Sequence, residues 1–301
     1  MNMMKFGLLS ILLLLVLLIG FYQGYSNDST TSTVVQPETE PSLEETIESE
    51  VTTSEIEESE EEPEEESIKE RVTQVVEDAL GLFVEDDLHV TAIGDSLTQG
   101  VGDTNDEGGY VEIIENTLKE NLNEKEVTVN NFGKRGNRSD QLLKRLDQPE
   151  IVSSIEKSDM VLITIGANDI MAIVKDQFLD LDYDDFAGEK EPYEARLNEI
   201  IQTIKSKNSD AEIFLIGLYN PFEKPFSHIP ELQQILRDWN EIGKRVAEEE
   251  ENMTFIPMEE IFSHREEVYA EDHFHPNKKG YKLMAERVIS YVRPFLETEE
   301  E

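Results

Sequence analysis

Two kinds of apolar pattern alternate along residues 86–296. Short runs near 89–93, 127–132, 160–165, 212–217 and 253–256 are rich in β-branched and apolar residues and predict strands. The clearest is Met160-Val161-Leu162-Ile163-Thr164-Ile165, apolar but for one threonine, as expected of a strand covered on both faces. Between these runs, apolar residues recur every three or four positions near 109–122, 139–146, 194–206, 231–250 and 278–295, which predicts amphipathic helices. Strand–helix repetition predicts a three-layer α/β/α domain around a five-stranded parallel sheet. Ligands of such sheets bind outside the carboxyl ends of the strands. Ser67–Phe83 predicts one more helix, with Ile68, Val72, Val75, Val76, Ala79 and Leu80 on its apolar face. Trp239, the single tryptophan, falls in a predicted helix and is expected in the core. No internal repeat is evident.

Residues 1–66 follow neither pattern. Phe6 to Asn27 carries no charge, and Leu8 to Ile19 is almost continuously leucine, isoleucine and valine. It approaches the roughly 20 residues that span a bilayer. No small-x-small cleavage site follows it, so a retained signal anchor over 1–26 is favoured over a cleaved signal peptide. Residues 27–66 are Ser, Thr, Pro and Glu, with sixteen acids and neither Lys nor Arg. Such a segment buries too little apolar surface to offset its ordering entropy and predicts a disordered, self-repelling stalk. The remainder, 67–301, reads as one domain with a short acidic tail.

Charge narrows the partners. Removing the stalk's sixteen acids and Lys5 from the total of −41 leaves about −26 on residues 67–301. That argues against nucleic acid, whose phosphates require Lys and Arg. It also argues against electrostatic binding to anionic headgroups. It fits a domain held off a membrane on its extracellular side, or secreted if the N-terminal segment is cleaved. The chain has no cysteine, which excludes disulfides and a lipid-modified N-terminal cysteine.

The candidate chemistry lies where the strands end. Gly94-Asp95-Ser96-Leu97 follows Val90-Thr91-Ala92-Ile93, placing a serine on a glycine-flanked turn after a buried strand. A serine hydroxyl becomes a nucleophile once exposed, oriented and given a base; a helix cap is the simpler use of the same residues. Near the C-terminus, Asp272-His273-Phe274-His275-Pro276 offers that base, with His275 three residues after an orienting Asp272. Asp272, His273 and His275 also form a weaker zinc candidate, lacking a further ligand cluster. Asn168, after the Met160–Ile165 run, can bring a side-chain N–H to the same sheet edge, or simply form a turn. Gly136, in Lys134-Arg135-Gly136-Asn137, can bring a bare backbone N–H to a ligand, or likewise only turn the chain.

These four segments, in this order, resemble the sequence blocks of the SGNH hydrolases, also called GDSL esterases and lipases. Gly94-Asp95-Ser96-Leu97 matches the first block, Gly136 the second, Gly166-Ala167-Asn168-Asp169 the third and Asp272-x-x-His275 the last. The resemblance covers about residues 86–296 and is most similar to the lysophospholipase-like bacterial acylhydrolases. It implies a flavodoxin-like SGNH hydrolase fold. It further implies Ser96 as nucleophile, His275 as base, Asp272 as its orienting partner, and an oxyanion hole of the Ser96 and Gly136 N–H groups with the Asn168 side chain. No metal or organic cofactor is implied.

The expected activity is therefore hydrolysis of a carboxylic ester in a lipid or an acylated glycan. An O-acetyl esterase acting on carbohydrate or peptidoglycan is the alternative enzyme. A non-catalytic glycan- or lipid-binding module is the alternative outside enzymes, and would not need all three of Ser96, His275 and Asp272. Ile170 to Pro192 alternates apolar residues with acids and reads as a helix and loop on the core. Its functional alternative is a lid or acyl-chain wall beside Asn168. Leu218 to Pro230 is a second candidate wall.

Overall fold

The computed structural model describes residues 87–103, 108–122, 126–176, 183–221 and 230–297. The anchor over 1–26, the stalk over 27–66 and the helix over 67–83 lie outside these residues. Five strands form one fully parallel sheet: β1 (Leu88–Gly94), β2 (Val127–Gly133), β3 (Met160–Thr164), β4 (Glu212–Ile216) and β5 (Met253–Ile256), in the order β2-β1-β3-β4-β5. All five coincide with the strands expected from the apolar runs to within a residue at either end.

Alternation along each strand divides the core into two layers. Ile93, Val161, Ile163, Ile213 and Leu215 face one layer, while Val90, Ala92, Leu162, Phe214 and Ile216 face the other. The first layer is covered by α3 (Ser139–Arg145), α4 (Pro149–Ile155), α5 (Ala167–Asp176), α6 (Tyr183–Lys207) and α7 (Pro230–Glu248). The second is covered by α2 (Gly109–Asn121) and α9 (Lys278–Glu297), with the one-turn α8 (Glu259–Phe262) and a 3-10 turn at Glu266–Val268. A further single turn, α1 (Ser96–Gln99), follows β1 directly.

Three helical features add to the sequence pattern. Pro149 opens α4, a helix outside the predicted set, at a position where a proline's missing N–H costs nothing. Residues 167–176 form α5, with Ile170, Met171 and Val174 buried in the first layer. Helix α6 begins at Tyr183 rather than near 194 and contains Pro192. Phe186 and Tyr193 are buried on its inner face. The described parts of 170–192 thus pack on the core, and 177–182 lie outside the described residues. Trp239 is buried in α7, its ring 5.6 Å from that of Tyr193. Among the described residues, no helix is long and apolar enough to cross a membrane.

Candidate active site

Neighbouring strands β2, β1 and β3 deliver three of the candidate segments to one sheet edge, with Gly94 registered between Gly133 and Thr164. Gly94 has φ +150°, and a Cβ there would collide with the Thr164 carbonyl. Glycine thus permits the close approach of β1 and β3 just before the serine. Asp95 caps α1, accepting from the Leu97 N–H through Oδ1 at 3.0 Å, and Ser96 is the first helical residue. Ser96 is 6 % exposed, its hydroxyl fixed by neighbours rather than free in water.

The loop after β2 is stitched to the serine turn. Lys134 N–H donates to Gly94 O at 3.0 Å, Arg135 N–H to Gln99 Oε1 at 2.6 Å, and Asn131 Nδ2 to Thr98 O at 2.7 Å. Asn137 N–H closes a turn onto Lys134 O at 3.1 Å, which puts Gly136 at its third position with φ +76°. That position favours glycine, and the space beside it is open. Gly136 is exposed and directly follows Lys134 and Arg135, also exposed, so this rim is locally cationic in an acidic domain. Asn168, the second residue of α5, donates from Nδ2 to Asn137 O at 3.1 Å and so lies against the Gly136 turn.

The fourth segment arrives by a longer route. Although β5 is the far edge strand, the chain after it returns across the second layer, and α9 packs beside α2. Residues 269–277 are held as a tight loop. Ala270 N–H donates to His275 O at 2.8 Å, and Asn277 Nδ2 donates to Glu267 O and Tyr269 O. Within it, Asp272 Oδ1 accepts from the N–H groups of Phe274 and His275 at 3.0 and 2.9 Å. Asp272 Oδ2 lies 2.6 Å from His275 Nδ1, and His275 Nε2 lies 2.9 Å from Ser96 Oγ. A carboxylate can only accept here, so Nδ1 carries the proton and Nε2 is left to accept from the serine hydroxyl. Burial by itself would raise the Asp272 carboxyl. The His275 hydrogen bond and charge, with the two backbone donors, outweigh it and hold Asp272 at about 2.

His273 takes the left-handed conformation, φ +53°, and is exposed, while Asp272 engages His275. Among the described residues, no group of three or more His, Asp or Glu is arranged to hold a metal ion.

The structure adds residues that the sequence motifs did not single out. Tyr219, just past β4, donates its buried hydroxyl to Phe274 O at 2.9 Å and stacks on Phe262 at 4.1 Å, bracing the residue before His275. Phe274 in turn meets the His275 ring edge-on at 5.0 Å. Thr164 donates to Asp95 Oδ1 at 2.9 Å. A threonine closing an otherwise apolar strand was the available signal for Thr164. Tyr219 falls in the Leu218–Pro230 segment expected as a wall, and its bond to Phe274 gives it a bracing role instead.

Comparison with known proteins identifies the family. Residues 92–283 match the model of the GDSL-like Lipase/Acylhydrolase family. The chain is 36 % identical over 207 residues to the protein YpmR of Bacillus subtilis, covering 68 % of this chain and 81 % of that one. It is 30 % identical over 208 residues to the spore germination lipase LipC of Bacillus licheniformis, covering 67 % and 94 %. Among solved structures, the lipase Lip_vut3 from a goat rumen metagenome superposes with a TM-score of 0.60 at 27 % identity, covering 67 % of this chain and 96 % of that one. The chain belongs to the GDSL-like lipase/acylhydrolase family, the SGNH hydrolases, and is an ester-hydrolysing enzyme of that fold.

Proposed function

We propose that Ser96, His275 and Asp272 act as a catalytic triad in acyl transfer from a lipid ester to water. The observation carrying this reading is the unbroken line Asp272 Oδ2–His275 Nδ1 at 2.6 Å and His275 Nε2–Ser96 Oγ at 2.9 Å. Ser96 Oγ attacks the ester carbonyl carbon as its proton passes to His275 Nε2. Asp272 stabilises the imidazolium without taking a proton. The carbonyl oxygen, now an oxyanion, is held by the N–H groups of Ser96 and Gly136 and by Asn168 Nδ2. Collapse of the intermediate expels the alcohol, which receives the proton from His275. Water then attacks the acyl-serine by the same steps, with His275 again as base.

The lipid side of the reading is supported by likeness to a spore germination lipase at 30 % identity and to a rumen lipase at 27 %. Lysophospholipid-like substrates are its finer form. We further propose that residues 1–26 anchor the protein and 27–66 hold the catalytic domain, within 67–301, outside the cell membrane. The substrate reading is tested by kcat/KM on p-nitrophenyl esters from acetate to palmitate. Rising or sustained values to eight or more carbons fit it. A steep fall after acetate would assign an O-acetyl esterase instead.

A further inference from the structure

The two oxyanion donors outside the serine turn sit on separate elements: Gly136 after β2, Asn168 at the start of α5. Their spacing decides whether both reach one oxygen. The single bond from Asn168 Nδ2 to Asn137 O joins them directly. The residues flanking that bond are joined far more firmly. Asp169 Oδ2 accepts from Ser139 N–H at 3.0 Å, and Asp169 Oδ1 accepts from Ser139 Oγ at 2.5 Å. Both side chains are buried, Asp169 at 4 % exposure and Ser139 at 0 %. Arg196, on α6, reaches this pair from outside both turns. Its Nε donates to Ser139 Oγ at 2.7 Å, and its Nη2 donates to Asp169 Oδ1 at 3.3 Å. A hydroxyl accepting from Arg196 must direct its own hydrogen elsewhere, here to Asp169. Glu189, seven residues earlier on α6, accepts from Arg196 Nη2 at 2.7 Å and fixes the guanidinium. Burial raises the Asp169 carboxyl against the pull of Ser139 and Arg196, so an ionised Asp169 depends on these partners.

We propose that Arg196 is a positioning residue for the hydrolysis: by bridging Ser139 and Asp169 it sets the separation between the Gly136 N–H and the Asn168 side chain. This rests on the oxyanion hole described above. The guanidinium bonds Ser139, Asp169 and Glu189 and acts on the chemistry only through them. A planar, forked donor suits two acceptors at once, which an ammonium matches poorly. Misplacement by about 1 Å at such a site costs on the order of a hundred-fold in rate.

The test is steady-state kinetics on one p-nitrophenyl ester with thermal melts, for Arg196→Met, Arg196→Lys, Asn168→Ala and the double variant Arg196→Met/Asn168→Ala. Arg196→Met is expected to lower kcat by about ten-fold or more with KM within about three-fold, and Arg196→Lys to recover part of the loss. In the Asn168→Ala background, Arg196→Met should add little, because one donor it positions is already gone. A lower melting temperature with wild-type kcat in Arg196→Met overturns the proposal, and so does a full, multiplicative loss in the double variant. If Arg196→Met does not fold, a folded Arg196→Lys at wild-type kcat overturns it. Wild-type kcat in Asn168→Ala alone defeats the oxyanion hole and this role with it. A crippled Asn168→Ala beside a fully active Arg196→Met defeats only the role of Arg196.

Discussion

Thr164 Oγ1 donates to Asp95 Oδ1 at 2.9 Å, across the seam between β1 and β3 directly beneath Ser96. The same oxygen accepts from Leu97 N–H, whereas the buried Asp95 Oδ2 has no hydrogen-bond partner. Burial pushes the Asp95 carboxyl from 3.8 up to about 6, against the bonds from Leu97 and Thr164 and the nearby His275 charge. The folded state therefore holds this proton more tightly than the unfolded chain does. Stability falls as pH rises from about 4 to about 6, and the cost is complete above that range. Asp95→Asn keeps an acceptor oxygen without the charge. It should be more stable than wild type at pH 8, by roughly 1–3 kcal/mol, with the difference fading towards pH 4. Denaturant melts at both pH values check this. Equal stability at pH 8, or a difference unchanged at pH 4, would contradict the account of Asp95.

The two histidines of the 269–277 loop have opposite expected behaviour. Replacing the base of a triad costs about three or more orders of magnitude in kcat, so His275→Gln should be nearly inactive. His273 holds a left-handed backbone that a glycine adopts without the Cβ penalty. His273→Gly should keep most activity and raise stability by up to about 1 kcal/mol. Paired kinetics and melts decide it. The larger activity loss at His273 would reverse the assignment of the base.

Asn168→Ala and chelation separate acyl transfer from metal-assisted hydrolysis. A donor aimed at the charged intermediate matters most in the transition state, so Asn168→Ala should lower kcat by roughly a hundred-fold with little change in KM. Activity should persist in EDTA. Inhibition by chelator that zinc restores, beside a mild Asn168→Ala effect, would favour the metal mechanism.

Much of this fold and site is legible in the sequence. Strands such as Met160–Thr164 announce themselves because both faces are buried, and each site segment directly follows a strand or precedes a proline-fixed turn. What escaped depends on partners distant in sequence. Arg196 meets Ser139 across 57 residues, and Tyr219 meets Phe274 across 55, so no local period marks either pair. The Ile170–Pro192 stretch reads as a helix and loop, whereas its described parts belong to two helices, α5 and an α6 that carries Pro192 inside it. An internal proline removes a helical hydrogen bond, and here the inward-facing Phe186, Tyr193 and Leu197 packing offsets that loss.

Covalent labelling tests the central claim most directly. The folded protein is incubated with a fluorophosphonate, and the adduct is located by peptide mass spectrometry. The account predicts one phosphonylated residue, Ser96, with esterase activity lost in step with labelling. Ser96→Ala should remain folded, take up no label and lose about three or more orders of magnitude in kcat. Label on any other residue, or Ser96→Ala with a tenth of wild-type turnover, would contradict Ser96 as the nucleophile.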